Sequence, residues 1–280
     1  MEIFHGIYEI KEYVSLYKNQ GATIGFVPTM GALHKGHIAL IERAKKENNL
    51  CVCSIFVNPI QFNNKEDLTK YPRTIESDIK ILDQVNCDIL FAPSEKEIYP
   101  EPDSTIYDLG GLDKLMEGAF RPGHFNGVAV VMKKLFDIVE PHRAYFGEKD
   151  FQQLGIIKYF VKKNNIPVEV VPCPTIREPD GLAMSSRNAL LTAEERKVAP
   201  LIYQTLEKAG EIYKLCSLEE LKTYVVSEIE SCPQMKIEYF EVVHSETLEP
   251  VNNFNEPAKC IACIAVYLGK VRLIDNIKFL

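Results

Sequence analysis

An apolar stretch, a glycine-bearing turn, a helical pattern and a second apolar stretch follow one another near the start of the chain. The first stretch covers residues 22–27 and ends at Pro28, apolar residues then recur at helical spacing over 38–44, and the second stretch covers 50–57. Roughly forty residues in this order are the size of a βαβ unit, in which the two strands are parallel. The chain is therefore expected to build a parallel sheet with helices packed on it.

Strand and helix patterns keep alternating up to about residue 175. Thr74 is placed to cap a helix, and residues 88–93 have the pattern of a buried strand. Later patterns predict a helix over 128–139, a strand over 143–146, a helix over 151–163 and a strand over 168–171. At least five strand candidates separated by helices predict an α/β fold whose doubly wound, Rossmann-like parallel sheet occupies residues 1–175.

The pattern changes after residues 172–174, where two prolines flank a cysteine. Thr192 and Ser217 each begin a capping box, and the box at Thr192 predicts the start of a long helix. Strand patterns then occur at 236–243, 259–268 and 271–277, with a two-residue hairpin turn beginning at Gly269 between the last two. The sequence therefore predicts a second, smaller α+β domain over residues 176–280.

Charge and hydropathy exclude several classes of partner. There are 32 basic and 39 acidic residues, which gives a net charge of −7 without a long block of like charge, whereas binding to nucleic acid needs clustered cations. The N-terminal residues lack the layout of a signal peptide, and the apolar run at 260–268 is about half the length of a bilayer span. We expect a cytoplasmic protein that binds neither nucleic acid nor membranes.

The eight cysteines are scattered along the chain. Only Cys260 and Cys263 form a CxxC pair, with no second pair and no nearby histidine, inside a predicted strand. Zinc and redox sites need more ligands or a different setting, so reduced core thiols and no metal centre are expected.

The turn at 28–37, PTMGALHKGH, follows the first strand of the βαβ unit, where open parallel sheets bind ligands. Gly31 and Gly36 have the spacing of a Walker A loop, but the lysine and hydroxyl residue that hold phosphate and magnesium are absent. The turn instead places His34 and His37 on one face of a helix N terminus. Exposed amides, the helix dipole and two imidazoles would favour a phosphate there. The alternative is one capping histidine and one packed surface histidine.

This turn resembles the HxGH signature of the nucleotidyltransferase superfamily, and its full wording resembles the pantothenate synthetase (pantoate–β-alanine ligase) family. Further segments similar to that family are FVNPIQF, YPRT, RPGHFNGVAVV, FGEKDFQQL, REPDGLAMSSRN and RLIDN, at 56–62, 71–74, 121–131, 146–154, 177–188 and 272–276. The resemblance implies that ATP and pantoate form pantoyl adenylate and pyrophosphate, and that β-alanine then attacks the adenylate to give pantothenate and AMP. It also implies Mg²⁺ on the triphosphate and a homodimer.

The resemblance also assigns roles to residues of this chain. His37, as proton donor, would act with His34, Lys149 and Arg187 in catalysis. Gln61 and Gln153 would bind pantoate, and Gln61 would also lie next to β-alanine. ATP would contact two groups of residues, Met30, Gly31, Ala32, Leu33, His34, Lys35, Gly36 and His37 in the first turn, and Gly147, Glu148, Lys149, Asp150, Ile176, Met184, Ser185, Ser186 and Arg187 further along.

Structural alternatives to these roles follow from the residues alone. Gln61 and Gln153 could be surface glutamines, and the GEKD segment at 147–150 could be a solvated charged turn. MSSR at 184–187 resembles the KMSKS loop of the superfamily without its two lysines, and it could be a polar turn between domains. Asp78 or Glu76 could reach magnesium, and both fit equally well as favourable charges in the first turn of a helix.

Two other functions stay open at this point. An adenylyltransferase would use the same HxGH turn to transfer AMP to a phosphate, although the segments around Gln61 and Gln153 resemble those that bind pantoate. A tRNA-binding or regulatory module would keep the fold without the chemistry, although the acidic balance opposes RNA binding. An AMP-forming ligase is the leading hypothesis.

Overall fold

The computed structural model describes residues 1–256 and 259–279, so three residues of the predicted second domain, 257, 258 and 280, lie outside the described residues. Within these ranges the strands are β1 (Glu2–Phe4), β2 (Ile24–Thr29), β3 (Leu50–Ile55), β4 (Ile89–Phe91), β5 (Arg143–Gly147), β6 (Glu169–Cys173), β7 (Met235–His244), β8 (Cys260–Leu268) and β9 (Val271–Lys278). The α-helices are α1 (Ile7–Asn19), α2 (Lys35–Glu47), α3 (Lys65–Lys70), α4 (Ile75–Gln84), α5 (Glu95–Ile98), α6 (Met116–Phe120), α7 (His124–Val139), α8 (Phe151–Lys163), α9 (Ala193–Val198), α10 (Leu201–Ile212) and α11 (Leu218–Glu230). Short 3₁₀ helices occupy Pro59–Gln61, Leu112–Lys114, Glu148–Asp150, Ser186–Leu190 and Tyr213–Leu215.

Over the described residues, six parallel strands form a sheet in the order β1-β4-β3-β2-β5-β6. This arrangement confirms the doubly wound parallel sheet predicted from the alternating pattern. The sequence did not reveal β1, because this strand has only three residues and two of them are exposed. A strand of three residues is too short to show a period-2 signal.

Strand β2 does not stop at Pro28, as the sequence predicted, but continues through it to Thr29. Pro28 is paired with Ser54 of β3, whereas the pairing of β2 with β5 covers only Gly25 and Phe26. Proline lacks a backbone N–H and is tolerated where one side of a strand has no ladder to complete. Strand β2 is therefore longer than predicted and ends closer to the turn that follows it.

Helices cover both faces of the parallel sheet. Apolar side chains of α1, α7 and α8 pack on one face around Phe26, while those of α2 and α4 pack on the other around Val27. Adjacent residues of β2 thus point into different halves of the core, as the alternation of a strand requires. Burial on both faces explains why the central strands are continuous apolar runs.

The second sheet, β7-β8-β9, is antiparallel and packs against α10 and α11. Gly269 has φ +57° and begins the predicted hairpin turn, with Leu268 paired to Val271. Cys260 and Cys263 lie in β8 and are buried in different hydrophobic clusters, since residues three apart on a strand point to opposite faces. The structure therefore agrees with the predicted smaller α+β part of the chain.

The capping boxes at Thr192 and Ser217 are both present, but the long helix predicted after Thr192 is wrong. The chain forms the short α9 and then begins α10 after Pro200. Proline lacks the N–H that an interior helical position donates, so an unbroken helix through Pro200 is unfavourable.

A buried ion-pair network joins the second sheet to α6. Arg272 of β9 donates to both carboxylate oxygens of Glu117, at 2.7 and 2.8 Å, and also contacts Glu238 of β7. The Tyr239 hydroxyl donates to Glu117 at 2.8 Å. Because these groups are mostly buried, the loss of one partner would leave an uncompensated charge. The network therefore ties α6 to β7 and β9 of the second sheet.

In the part of the chain that the structure describes, none of the helices has the length and hydropathy that crossing a membrane would require.

Gly127 of α7 is packed directly on the backbone of the segment that follows β3. A Cβ at this position would lie 2.5 Å from the Ile60 carbonyl oxygen and 2.8 Å from the Gln61 Cα. We expect Gly127→Ala to lower the free energy of unfolding by about 2–3 kcal/mol, measured by urea unfolding. Gly210→Ala in α10 is the matched control, because its Cβ would meet only the Ile277 Cδ1 atom at 3.3 Å, and it is expected to be neutral or slightly stabilising. Equal effects of the two changes would contradict this account.

Candidate active site

The parallel sheet has a topological switch point between β2 and β5. The chain leaves β2 toward β3 on one side and returns to β5 on the other, so the connections at the carboxyl ends of these neighbours diverge and leave a crevice. A cavity of about 220 Å³ occupies this crevice. Its wall contains fourteen of the residues predicted to bind ATP or pantoate, namely Met30, His34, Gly36, His37, Gln61, Gly147, Lys149, Asp150, Gln153, Ile176, Met184, Ser185, Ser186 and Arg187.

His34 and His37 form a reciprocal cap at the start of α2. The His34 Nδ1 atom accepts a hydrogen bond from the Gly36 amide at 3.1 Å, and the His37 Nδ1 atom accepts one from the His34 amide at 3.3 Å. The ring centroids are 4.1 Å apart. Because both Nδ1 atoms accept, a neutral ring must carry its proton on Nε2. The start of α2 therefore carries two Nε2–H donors, one on each histidine.

Desolvation keeps both rings neutral. It lowers the pKa of His34 to about 4, with a further contribution from Lys149, and it lowers the pKa of His37 to about 3, with a contribution from His34. A neutral imidazole donates a hydrogen bond without offering an acidic imidazolium proton. An anion placed against both rings would raise these pKa values.

Asp78 fixes the turn that precedes the two histidines, a role that sequence reasoning did not assign. The carboxylate is 1% exposed and accepts hydrogen bonds from the amides of Ala32 and Leu33, at 3.0 and 2.8 Å. Thr74 is the N-cap residue of α4, as predicted, but its hydroxyl bonds the Asp78 carboxylate and makes no capping bond to a helix amide. With its oxygens engaged in this way, Asp78 acts as a turn anchor rather than as a free magnesium ligand.

The expectation of exposed turn amides needs correction. The amide of Gly31 donates to Thr29, those of Ala32 and Leu33 to Asp78, and those of His34 and Gly36 to the histidine rings. These five donors are engaged within the protein. The imidazole Nε2–H groups, rather than these amides, are therefore the donors available to a ligand.

Five predicted ATP-binding residues do not line the cavity: Gly31, Ala32, Leu33, Lys35 and Glu148. Three of them shape the turn instead, and Gly31 has φ +81° with Asp78 Oδ2 only 3.1 Å from the position of a Cβ. The Lys35 side chain is exposed, and Glu148 forms an ion pair with Lys278 at 2.8 Å.

Gln61 is buried, so the alternative of a surface glutamine is wrong for this residue. Its side-chain oxygen accepts from Asn58 at 3.0 Å, and its amide nitrogen lies 3.3 Å from the Met30 sulfur. Tyr99 in turn donates to Asn58. Gln153 is half-buried in the first turn of α8 and faces the same cavity. The two amides thus stand on opposite elements around one space.

Lys149 and Asp150 follow β5 directly, beside the two histidines. The Lys149 ammonium lies 3.2 Å from Asp150, and its side chain is 16% exposed. Partial burial opposes the ionisation of Asp150, but Lys149 and Arg187 outweigh it and keep the pKa of this carboxyl below its ordinary value. The charged turn is therefore a cavity wall and not only a solvated loop.

The MSSR segment closes the other side of the cavity. The Ser186 hydroxyl donates to the Ala32 carbonyl at 3.0 Å, which ties this segment to the histidine turn. Arg187 pairs with Asp67 at 3.0 Å. The Met184 amide donates to the Ile176 carbonyl at 3.0 Å, so that Ile176 already has a backbone partner.

A second cavity of about 590 Å³ opens beside the first, between the two sheets, and shares Lys149, Asp150, Gln153, Ser185 and Arg187 with it. Sequence reasoning assigned no role to Arg121 and His124, which line this second cavity, although both lie in the quoted RPGHFNGVAVV segment.

Arg121 is a cation with little compensation. Its closest approach to Glu117 is 3.8 Å, and the Glu117 carboxylate already receives two hydrogen bonds from Arg272. Burial lowers the pKa of Arg121. His124 donates from Nδ1 to the Gln61 carbonyl at 2.7 Å and accepts on Nε2 from Arg121 at 3.2 Å. Arg121 is thereby connected to Gln61 through a single imidazole.

Among the residues that the structure describes, no group of three or more His, Cys, Asp or Glu side chains is arranged to hold a metal ion.

Comparisons with known proteins match this chain over almost its whole length. A family model described as pantoate-beta-alanine ligase matches residues 2–278. A pantothenate synthetase of Bacteroides fragilis is 50% identical over 279 residues, covering 100% of this chain and 99% of the relative. The crystal structure of pantothenate synthetase from Thermus thermophilus matches with a TM-score of 0.93 at 42% identity, covering 100% of this chain and 99% of the other.

A pantoate-beta-alanine ligase from Francisella tularensis is also similar, with 40% identity and a TM-score of 0.83, covering 99% of this chain and 97% of the other. That protein was crystallised with beta-gamma ATP and beta-alanine, as its description states.

His124 makes the stability of the fold depend on pH. Burial lowers the pKa of His124 to about 4, below its ordinary value of 6.5, so the unfolded chain binds a proton more readily than the folded one. Stability should therefore be full above pH 6.5 and should fall as the pH drops toward 4. We expect His124→Asn to reduce this loss of the free energy of unfolding by up to about 3 kcal/mol. The measurement is urea unfolding at several pH values.

His5→Asn is the control for the His124 change, because it replaces one histidine by the same residue at an exposed position. The pH dependence of unfolding should change more in His124→Asn than in this control. If His124→Asn had the same pH dependence as the parent chain, His124 would not contribute to it in addition to His34 and His37.

Proposed function

Because the chain belongs to the pantoate–β-alanine ligase family, we propose that it is an ATP-dependent, AMP-forming ligase that joins pantoate to β-alanine through a pantoyl-adenylate intermediate. The observation that supports this proposal most directly is the cavity at the switch point between β2 and β5. It brings two neutral imidazoles, the cations Lys149 and Arg187, and two amides, Gln61 and Gln153, to one space.

In the first step, a carboxylate oxygen of pantoate attacks the α-phosphorus of ATP and pyrophosphate leaves. Negative charge grows on the phosphoryl oxygens, and donors that are already oriented stabilise it without reorganisation. His34 and His37 offer Nε2–H for this purpose, while Lys149 and Arg187 provide positive charge for the triphosphate. As negative charge approaches, the pKa of His37 rises, so that it can become the proton donor that the resemblance implies.

Pantoate is held by the pair of amides in this proposal. An amide both donates and accepts, so Gln61 and Gln153 can bind the carboxylate and hydroxyls of pantoate together. Asn58 fixes the orientation of Gln61 through its hydrogen bond at 3.0 Å.

In the second step, the amine of β-alanine attacks the carbonyl carbon of the adenylate, and AMP leaves. The larger cavity is a route for this substrate, since it borders Lys149 and Gln153. The carboxylate of β-alanine needs a cation, and Arg121 is the half-buried guanidinium there with the longest ion-pair distance. We propose that Arg121 binds this carboxylate and thereby turns the amine toward Gln61.

The remaining expectations are proposals of the same kind. Residues 1–175 would bind nucleotide and pantoate, and residues 176–280 would form the smaller domain, whose MSSR segment could close over ATP. Mg²⁺ would enter with ATP, held by phosphate oxygens and water. A homodimer is what the resemblance to the family implies. A cytoplasmic location is supported by the need for ATP and by eight free thiols.

The activity can be tested by incubating the protein with ATP, Mg²⁺, pantoate and β-alanine and leaving out each component in turn. We expect AMP and pantothenate only in the complete mixture, and pantoate-dependent exchange of pyrophosphate into ATP without β-alanine. Pyrophosphate release with a phosphorylated acceptor, but not with pantoate, would instead identify an adenylyltransferase.

His37→Ala should lower the rate of pyrophosphate exchange by at least about a hundredfold, because it removes a donor to the developing charge. Lys46→Ala, an exposed change on the same helix, is the control and should exchange pyrophosphate at the normal rate. Near-normal turnover of His37→Ala would show that this residue does not have the proposed role.

Arg121→Met should raise the KM for β-alanine about tenfold or more, since a charged hydrogen bond to the carboxylate is lost. Pyrophosphate exchange in the absence of β-alanine should change less than about twofold, because Arg121 is not in the wall of the smaller cavity. Lys70→Met, a cation in an exposed pair on the same larger cavity, is the control. An equal loss of exchange and of complete turnover would refute the role of Arg121.

A further inference from the structure

The end of strand β9 contacts the turn that carries Lys149. The side-chain amide of Asn276 donates hydrogen bonds to the carbonyl oxygens of Glu148 and Lys149, each at 2.9 Å. Asn276 is buried, at 8% exposure, and it lies on the second sheet, whereas the turn follows β5 of the first. A residue distant in the chain therefore supports the turn, and it does so from the wall of the larger cavity, which Asn276 and Lys149 both line.

These two carbonyls belong to the peptide groups on either side of the Lys149 Cα. Fixing both peptide planes restricts φ and ψ of Lys149, and hence the direction in which its side chain starts. One amide with two N–H donors can satisfy both oxygens, whereas a carboxylate in its place would only accept. The residue type at position 276 thus matches the geometry of the turn.

The neighbouring residue, Asp275, contacts a second segment in a similar way. Its carboxylate pairs with Arg177 through two hydrogen bonds, at 2.6 and 2.9 Å, and is 4% exposed. Arg177 also donates to the Gly181 carbonyl at 3.1 Å and lies over the Tyr203 ring, 3.7 Å from its centroid. A bidentate pair of this kind fixes orientation as well as distance.

Arg177 and Gly181 belong to the hairpin that leads directly into MSSR. Arg177 pairs with Ala183 in an isolated bridge, and the Met184 amide bonds the Ile176 carbonyl. Through this short, hydrogen-bonded hairpin, Asp275 therefore restrains the position of the segment that carries Arg187. The backbone N–H of Asn276 also donates to the Asp275 carboxylate at 2.8 Å, and this bond connects the two contacts.

We propose that Asp275 and Asn276 are positioning residues, which together set the placement of Lys149 relative to Arg187 across the cavity. We call this pair the β9 bracket. This inference rests on the proposed function, since it concerns how two cations are presented to one triphosphate. Neither residue of the bracket needs to touch ATP, because each acts through a segment that does. Misplacement of such groups by about 1 Å costs up to about a hundredfold in rate.

The test is Asn276→Ala in the full chain, assayed by pantoate-dependent exchange of pyrophosphate into ATP. We expect kcat/KM for ATP to fall about tenfold to thirtyfold, mostly in kcat, while the KM for pantoate stays within about twofold. Lys278→Ala is the matched control. It lies on the same strand and loses only a side-chain pair with Glu148, so it should keep normal exchange.

A double-mutant cycle separates positioning from a merely structural role. If Asn276 acts through Lys149, adding Asn276→Ala to Lys149→Ala should cause less than about a twofold further loss, measured with enzyme in excess so that slow turnover is detected. Asn276→Asp, which keeps the shape but has no donor, should resemble Asn276→Ala. It provides the same test if one of the two variants folds poorly.

Two outcomes would overturn the bracket. One is exchange by Asn276→Ala within about twofold of the parent chain, and the other is an undiminished loss in the Lys149→Ala background. Failure of the proposed function has a different signature, because the parent chain itself would then show no pantoate-dependent exchange.

Discussion

The site depends on β2 and β5 being neighbours while their connections run in opposite directions. Adjacent strands are about 5 Å apart, so the histidine turn after β2 and the Lys149 turn after β5 necessarily begin side by side. Parallel pairing through Gly25 and Phe26 holds them there. If the sheet had been wound in one direction, a connection would have covered this edge. Strand order therefore decides where a ligand can enter before any polar residue is considered.

Burial then determines the chemical character of the donors at that edge. Asp78 takes up two amides of the histidine turn, and the rings of His34 and His37 take up two more. These four amides are thus satisfied within the protein, and the imidazole N–H groups remain as donors at the helix start. These groups are neutral, because desolvation lowers the pKa of both histidines.

Much of this arrangement could be predicted from short-range signals. The alternating apolar pattern, the two capping boxes and the placement of the glycine-spaced histidines at a helix start each involve neighbouring residues, and these features are confirmed. The length of the helix after Thr192 was not predicted correctly. Roles that depend on distant partners left no local signal. Asp78 is 46 residues from Ala32 in the chain, and the partners of Asn276 are more than 100 residues away. The roles of Lys149, Gln153 and Arg187 came from resemblance, since nothing around them distinguishes a cavity wall from an exposed turn.

The cations around the smaller cavity are already paired with carboxylates. Lys149 is paired with Asp150, and Arg187 with Asp67. An incoming anion must therefore compete with a carboxylate for each cation, so binding there is an exchange of partners rather than the filling of an unbalanced positive site. A small monovalent anion such as chloride competes for one cation at a time and gains little. A polyanion that reaches several cations at once displaces their carboxylate partners together. This gives the site selectivity for the number of charges on the anion without a large net positive field.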